Sequence, residues 1–203
     1  MTIKTIKLLG KKILLIIFKF GLRFKLIILP DHYYVPVSNI LELNKDRSWQ
    51  KKSNLEGIEI NLENQLQNIR KIVLPFKEKY KNGELYDEAV KLNAGPGFGV
   101  IEAQALYGVI RYYCPKKIIE IGSGVSTYIM MGAGAKNITC VEPYPSNFLK
   151  KNTNIKLVKK KLQHCDEKIF EDLSHGDFLF IDSTHTLKIG SDISKRYLDI
   201  MPK

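Results

Sequence analysis

Residues 117–142 read KIIEIGSGVSTYIMMGAGAKNITCVE, and the fold turns on them. Ile118, Ile119 and Ile121 are β-branched residues in a short apolar run, the composition of a buried parallel strand. The run breaks at Gly122 and Gly124, where a tight turn and a close backbone approach require the absence of a Cβ. A helical stretch follows, then a second apolar run, Ile138 to Val141, that ends in Glu142. Strand, glycine turn, helix, strand and terminal acid form the half-unit of a nucleotide-binding parallel sheet. In that unit the acid at the tip of the second strand is placed to accept hydrogen bonds from ribose hydroxyls.

Two residues bear on the kind of nucleotide. A nicotinamide-dinucleotide fingerprint carries three glycines, but here the third position is Thr127, and Glu120 lies two residues before the first glycine. An acid at that point repels a pyrophosphate and suits a cationic ligand without phosphate.

The chain of 203 residues is long enough for one α/β domain and an appendage. Its net charge of +11 would suggest nucleic acid if it were spread over a folded face. It is concentrated instead: residues 1–30 hold seven Lys or Arg and no acid, leaving 25 bases against 21 acids in the rest. No nucleic-acid partner is expected. The three cysteines, Cys114, Cys140 and Cys165, have neither C-x-x-C nor metal-ligand spacing, which points to a reducing, cytoplasmic compartment and no disulfide framework.

The basic arm, 1–30, mixes Ile, Leu and Phe with lysine. Its longest uncharged apolar run, Ile13 to Phe18, is far short of the about 20 residues a spanning helix needs. Nor does a small-residue cleavage site follow, as a secretory signal would have. Three readings stay open: residues 1–29 lie as an amphipathic helix on an anionic membrane surface, at the inner face, they pack on the protein's own domain or a partner chain, or they form a spanning segment, which the charges at Lys19, Arg23 and Lys25 disfavour.

Residues 31–94 read as an accessory region. It opens on an aromatic, proline-bounded loop, Pro30 to Pro36, either a packed connector or a lid that brings His32 or a tyrosine to a site. Asn61 is placed as an N-cap for a helix with Leu62, Leu66, Ile69, Val73 and Phe76 on one face, and Pro75 kinks or ends it. The domain proper, 95–203, begins near the loop Asn93 to Gly99, and a helix follows with Ala105, Leu106, Val109, Ile110 and Tyr113 as its buried stripe.

Beyond Glu142 the pattern predicts a short helix and a third strand near Ile155 to Val158, crowded by lysines that suit an exposed sheet edge. A fourth strand, Asp177 to Asp182, is apolar on both faces and ends in an acid. Ser183, Thr184 and His185 follow it, then a helix with Ile189, Ile193, Tyr197 and Ile200 on one side. Glu120, Glu142 and Asp182 thus fall at the carboxyl ends of three successive strands, where open α/β sheets bind ligands.

Ile118 to Gly124, Thr139 to Pro145 and Phe178 to Asp192 together resemble the class I S-adenosylmethionine (SAM) methyltransferases, in particular a bacterial group with an Ile-Asp-Ser-(Ser/Thr)-His fourth motif. The resemblance implies a Rossmann-like, mainly parallel sheet of order 3-2-1-4 with an N-terminal helical extension, SAM as cofactor, and a small-molecule acceptor methylated on oxygen or nitrogen. It places Gly122, Gly124 and Ser126 against the cofactor, Glu120 near its amino group, Glu142 on the ribose hydroxyls and Gln163 toward the adenine edge. Ser126 replaces a glycine that many such proteins carry. Asp182 and His185 are the implied transfer site: His185 as general base, oriented by Asp182, or Asp182 as capping residue of the loop and His185 as a satisfied turn residue. A divalent cation at Asp182 fits the chemistry of the acid, although no further ligand supports it.

Members of that group continue for three more strands, whereas this sequence stops at Lys203. Strand four is left as an unprotected edge, so the expectation is either a truncated form or a sheet whose missing strand a second copy or a partner chain supplies. A non-catalytic remnant that binds SAM weakly, or acts only as an interaction module, is the alternative to an active enzyme. A nicotinamide-dependent enzyme is disfavoured by Glu120 and Thr127.

Overall fold

The structure, a computed structural model, describes residues 3–29, 37, 40–45, 50–52, 57, 59–80, 82–92, 94, 95, 97–185 and 191–195. The chain divides into two units, Met1–Glu59 and Ile60–Lys203. The loop from Pro30 to Pro36, with His32, lies outside the described residues, as do Asn93, Ile189, Tyr197 and Ile200.

The first unit contains helix α1 (Ile3–Arg23) and the short α2 (Ile40–Lys45). Helix α1 ends where Lys25 adopts a left-handed conformation at φ 59°. The Lys25 N–H then donates to the Leu22 carbonyl and the Leu26 N–H to the Gly21 carbonyl, the paired bonds of a Schellman cap.

The second unit is built on a four-stranded, all-parallel sheet. Strands β1 (Ile118–Ile121), β2 (Ile138–Val141), β3 (Ile155–Val158) and β4 (Phe178–Ile181) lie in the order β3-β2-β1-β4, which is the expected Rossmann-like topology. Ile118 pairs in register with Ile138 and Phe178, so β1, β2 and β4 end level with one another. Every residue of β1 and β2 is buried, as near-continuous Ile and Val runs require. The two outer strands are only partly covered. On the β3 side Lys156 points outward and blunts the edge.

Helix α6 (Val100–Tyr113) and α7 (Val125–Gly132) cover the sheet, and their packing corrects one expectation. The buried residues of α6 are Ala103, Leu106, Gly108 and Ile110, while Ala105 and Tyr113 are exposed. The helix is covered on a second side as well: a Cβ at Gly108 would lie 2.8 Å from the Val73 Cα. The segment crossing there starts as α3 (Leu62–Asn68), which Asn61 caps as expected by accepting from the Asn64 N–H at 2.9 Å. It then widens into a π-helical turn, Ile69–Val73, and tightens into a 3₁₀ turn, Leu74–Phe76, that contains Pro75. The ring has no N–H and excludes the carbonyl four residues back, so the ordinary helical ladder cannot pass through it. As a result Leu62, Leu66 and Ile69 are exposed and only Val73 and Phe76 of the predicted face are partly covered. Two further helices, α4 (Lys77–Tyr80) and α5 (Glu84–Lys91), complete this layer. Leu85 of α5 fits against Gly132, where a Cβ would stand 2.8 Å from its Cδ1. The π-helical turn and α5 thus form a layer against α6 and α7.

The remaining helices are short: α8 (Asn147–Lys151), capped by Ser146, α9 (Lys168–Glu171) and α10 (Asp192–Lys195). Ile118, Ile119, Ile129, Met130 and Ile138 are at the centre of the core. Each such buried side chain contributes roughly 1.5–3 kcal/mol relative to exposure.

Candidate functional site

The four strands point their carboxyl ends at one cleft of about 890 Å³. Its floor is the glycine turn between β1 and α7. Gly122 has φ +82°, and a Cβ there would run into the Asp182 carbonyl, so only glycine lets the β1 and β4 tips meet. Gly95 passes over the same turn from the other side, with its ideal Cβ position 3.3 Å from the Gly124 Cα. Ala94, Gly95 and Phe98, from the loop before α6, thus form one wall.

Glu142, at the tip of β2, lines the cleft. Its carboxylate accepts from the Tyr144 N–H at 2.7 Å and, more weakly, from the Ser123 N–H at 3.4 Å. A carboxylate offers about four acceptor positions, so two remain for a diol. Tyr144 stands at the rim, 79% exposed, with its ring free to cover a flat group. Gln163 and Lys161, from the segment after β3, line the opposite side. Gly122, Gly124 and Ser126 also line the cleft, with the Ser126 hydroxyl turned inward.

Glu120 does not. Its side chain is fully buried beneath the turn, with one oxygen taken by the Ser126 hydroxyl and the other by the Thr127 hydroxyl, each at 2.5 Å. The expectation that it faces a ligand's amino group is corrected: strand β1 turns residue 120 toward the face covered by α7. Burial pushes this carboxyl from 4.5 up to about 7, against the opposing pull of hydrogen bonds from Ser126, Thr127 and Cys140. Burial likewise raises the Cys140 thiol to about 12, so it is an inert core group rather than a nucleophile.

This arrangement explains Thr127. Its hydroxyl donates to Glu120 and accepts from the Gly124 N–H at 3.0 Å, which ties the helix start, the turn and β1 together. The turn's amides are consequently engaged: Gly122 N–H with the Val141 carbonyl at 3.1 Å, Ser123 N–H with Glu142 and Gly124 N–H with Thr127. In a pyrophosphate site such groups point at the ligand instead.

Asp182 lines the cleft and accepts a hydrogen bond from the His185 ring, with Nε2 and Oδ1 2.8 Å apart. His185 is outside the cleft wall, its side chain 75% exposed and its backbone held at φ 54°, a region few non-glycine residues occupy. The sequence pattern did not single out Asp192. It lies in the same cleft and accepts from the Thr184 hydroxyl at 2.5 Å and the Thr184 N–H at 3.1 Å. Burial alone would raise its pKa, but hydrogen bonds from Ser183 and Thr184 outweigh that and hold it down at about 2. No periodicity announces such a residue, since its role comes from tertiary contacts with Thr184. Among the described residues no group of three His, Cys, Asp or Glu could hold a metal ion.

Three carboxylates, Glu142, Asp182 and Asp192, and one ammonium, Lys161, therefore line the cleft. Its charge favours a cationic or zwitterionic ligand over a phosphate-rich one.

No family model and no solved structure matches the chain. An uncharacterized protein of Archaeoglobus fulgidus is 30% identical to it over 164 residues, which span 72% of this chain and 74% of that protein. The chain belongs to one family with this archaeal protein.

Proposed function

We propose that the chain is a SAM-dependent methyltransferase acting on a small molecule at oxygen or nitrogen. One observation carries the reading: a glycine turn whose amides are already bonded to protein opens into a net acidic cleft with Glu142 at the β2 tip. SAM has a ribose diol, a sulfonium and an amino-acid group, but no phosphate, and the residues present fit those features. Glu142 takes the diol, Gly122 and Gly124 give the backbone room, Tyr144 and Gln163 flank the base, and Asp182 faces the cationic end. When bound, the cofactor supplies a methyl group on a positively charged sulfur.

The chain's own residues prepare the acceptor. Of the Asp182–His185 pair, Asp182 is the member that lines the cleft, so it holds the acceptor hydroxyl or amine and takes its proton. His185, bonded to Asp182 and open to water, passes that proton out. The roles are thus reversed from the arrangement in which His185 alone meets the acceptor.

The exposure of His185 also favours a second reading, in which the cleft binds SAM without turnover and the chain is an interaction module. Parallel calorimetric titrations with SAM and NAD, followed by assays of methyl loss over a panel of small acceptors, separate the readings. SAM binding with turnover supports the enzyme, SAM binding alone supports the module, and a preference for NAD refutes both.

A further inference from the structure

We infer that the first unit is a docking device for an anionic lipid surface, with α1 lying in the plane of the interface. Helix α1 has 21 residues, about 31 Å at the usual rise. That length would cross a bilayer core, yet among the described residues no helix is long and apolar enough to do so. Lys11 and Lys12 stand at the middle of it.

The charges are sorted by face. Leu9, Ile13, Ile16 and Phe20 follow one another at steps of four, three and four, a continuous helical stripe without a charge. Lys11, Lys12, Lys19 and Arg23 lie off that stripe. Leu9, Ile13, Ile16, Ile17 and Phe20 are all exposed, Ile16 at 65% and Phe20 at 58%.

The end of the helix extends the apolar surface. Beyond the Schellman cap the chain folds back, and a Cβ at Gly21 would come within 2.9 Å of the Leu26 carbonyl and 3.3 Å of Ile28. Glycine at 21 therefore permits the return of residues 26–29 against the helix end. This presents Leu26, Ile27, Ile28 and Leu29, all exposed, beside Phe20 and Phe24, whose tilted rings are 5.1 Å apart. Lys19, Arg23 and Lys25 flank that tip.

Charge selects the occupant. Residues 1–30 carry seven bases and no acid, so a second copy on the same face would bring seven more bases against them. An anionic bilayer supplies the opposite charge and an apolar layer at once, and each base near such a surface strengthens binding by about fivefold.

The test is sedimentation of the full chain with vesicles of phosphatidylcholine alone and of phosphatidylcholine mixed with phosphatidylglycerol, at about 0.1 M and about 1 M salt. The expected result is binding to the mixed vesicles at low salt, weaker by at least tenfold on neutral vesicles or at high salt. The triple variant Lys11→Gln, Lys12→Gln, Lys19→Gln keeps strong helix formers, so it should fold and lose on the order of a hundredfold in partitioning. Ile16→Asp with Phe20→Asp should abolish binding while far-ultraviolet circular dichroism is kept. Equal partitioning onto neutral and anionic vesicles overturns the inference. So does a chain that ignores both vesicles, including one that forms a concentration-dependent dimer through this face.

Discussion

Glu120 permits the most quantitative prediction. Its carboxyl has no exposure, and burial pushes its pKa from 4.5 up to about 7 in the folded chain. Between those two values the folded state keeps the proton and the unfolded state releases it. Stability therefore falls as pH rises through the window, because the native state binds more protons there. The effect is absent below about pH 4.5, where the group is neutral in both states, and complete above about pH 7. A separation of this size corresponds to roughly 3 kcal/mol at 1.36 kcal/mol per pH unit. Glu120→Gln keeps the shape and cannot ionise. Urea unfolding of the wild type and the variant, from about pH 4.5 to about pH 8, isolates the term, since other titrating groups cancel in the difference. The variant should gain roughly 3 kcal/mol on the wild type across that range. Parallel stability profiles would refute the reasoning, because the carboxylate would then be no harder to ionise in the core than in the unfolded chain.

Other substitutions probe the turn and the loop beyond β4. Thr127→Val deprives both the Gly124 N–H and Glu120 of their partner, so urea denaturation should show a loss of about 2–4 kcal/mol, with Thr127→Ser largely tolerated. Gly122→Ala forces a Cβ into the Asp182 carbonyl at a left-handed backbone position, and should lower stability by about 2 kcal/mol or more. The depressed Asp192 pKa contributes stability that is present above about pH 4 and lost as pH falls through about 2. Asp192→Asn should therefore flatten the acid limb of a pH-denaturation curve.

The sheet was legible because its residues repeat a simple physical demand. Both faces of β1 and β2 are covered, so Ile118 to Ile121 and Ile138 to Val141 had to be apolar and mostly β-branched, apart from Glu120, Thr139 and Cys140. Gly122 was legible as a turn residue, and its clash with Asp182 explains why. The direction of Glu120 was not. Reading it as a ligand group assumed that an acid near a glycine turn must face the cleft, whereas strand alternation aims residue 120 at Ser126 and Thr127. The same two hydroxyls, read from sequence as departures from a glycine pattern, with Ser126 also set against the cofactor, are the partners that make a buried acid tolerable. The stripe of α6 was misread for another reason. Gly108 has no side chain to count as apolar, yet it marks the closest approach of a second helical segment at Val73. Asp192 escaped notice because its contacts to Thr184 are tertiary and follow no sequence period.

The account depends most on Glu142 as the group that receives a ribose diol. Calorimetric titration of SAM into the wild type and into Glu142→Gln tests this directly, with unchanged circular dichroism as the control for folding. The predicted result is saturable binding to the wild type and an affinity at least about tenfold weaker in the variant, the size expected for losing a charge-assisted hydrogen bond. Equal affinity in the two proteins, or no heat of binding with either, would contradict it.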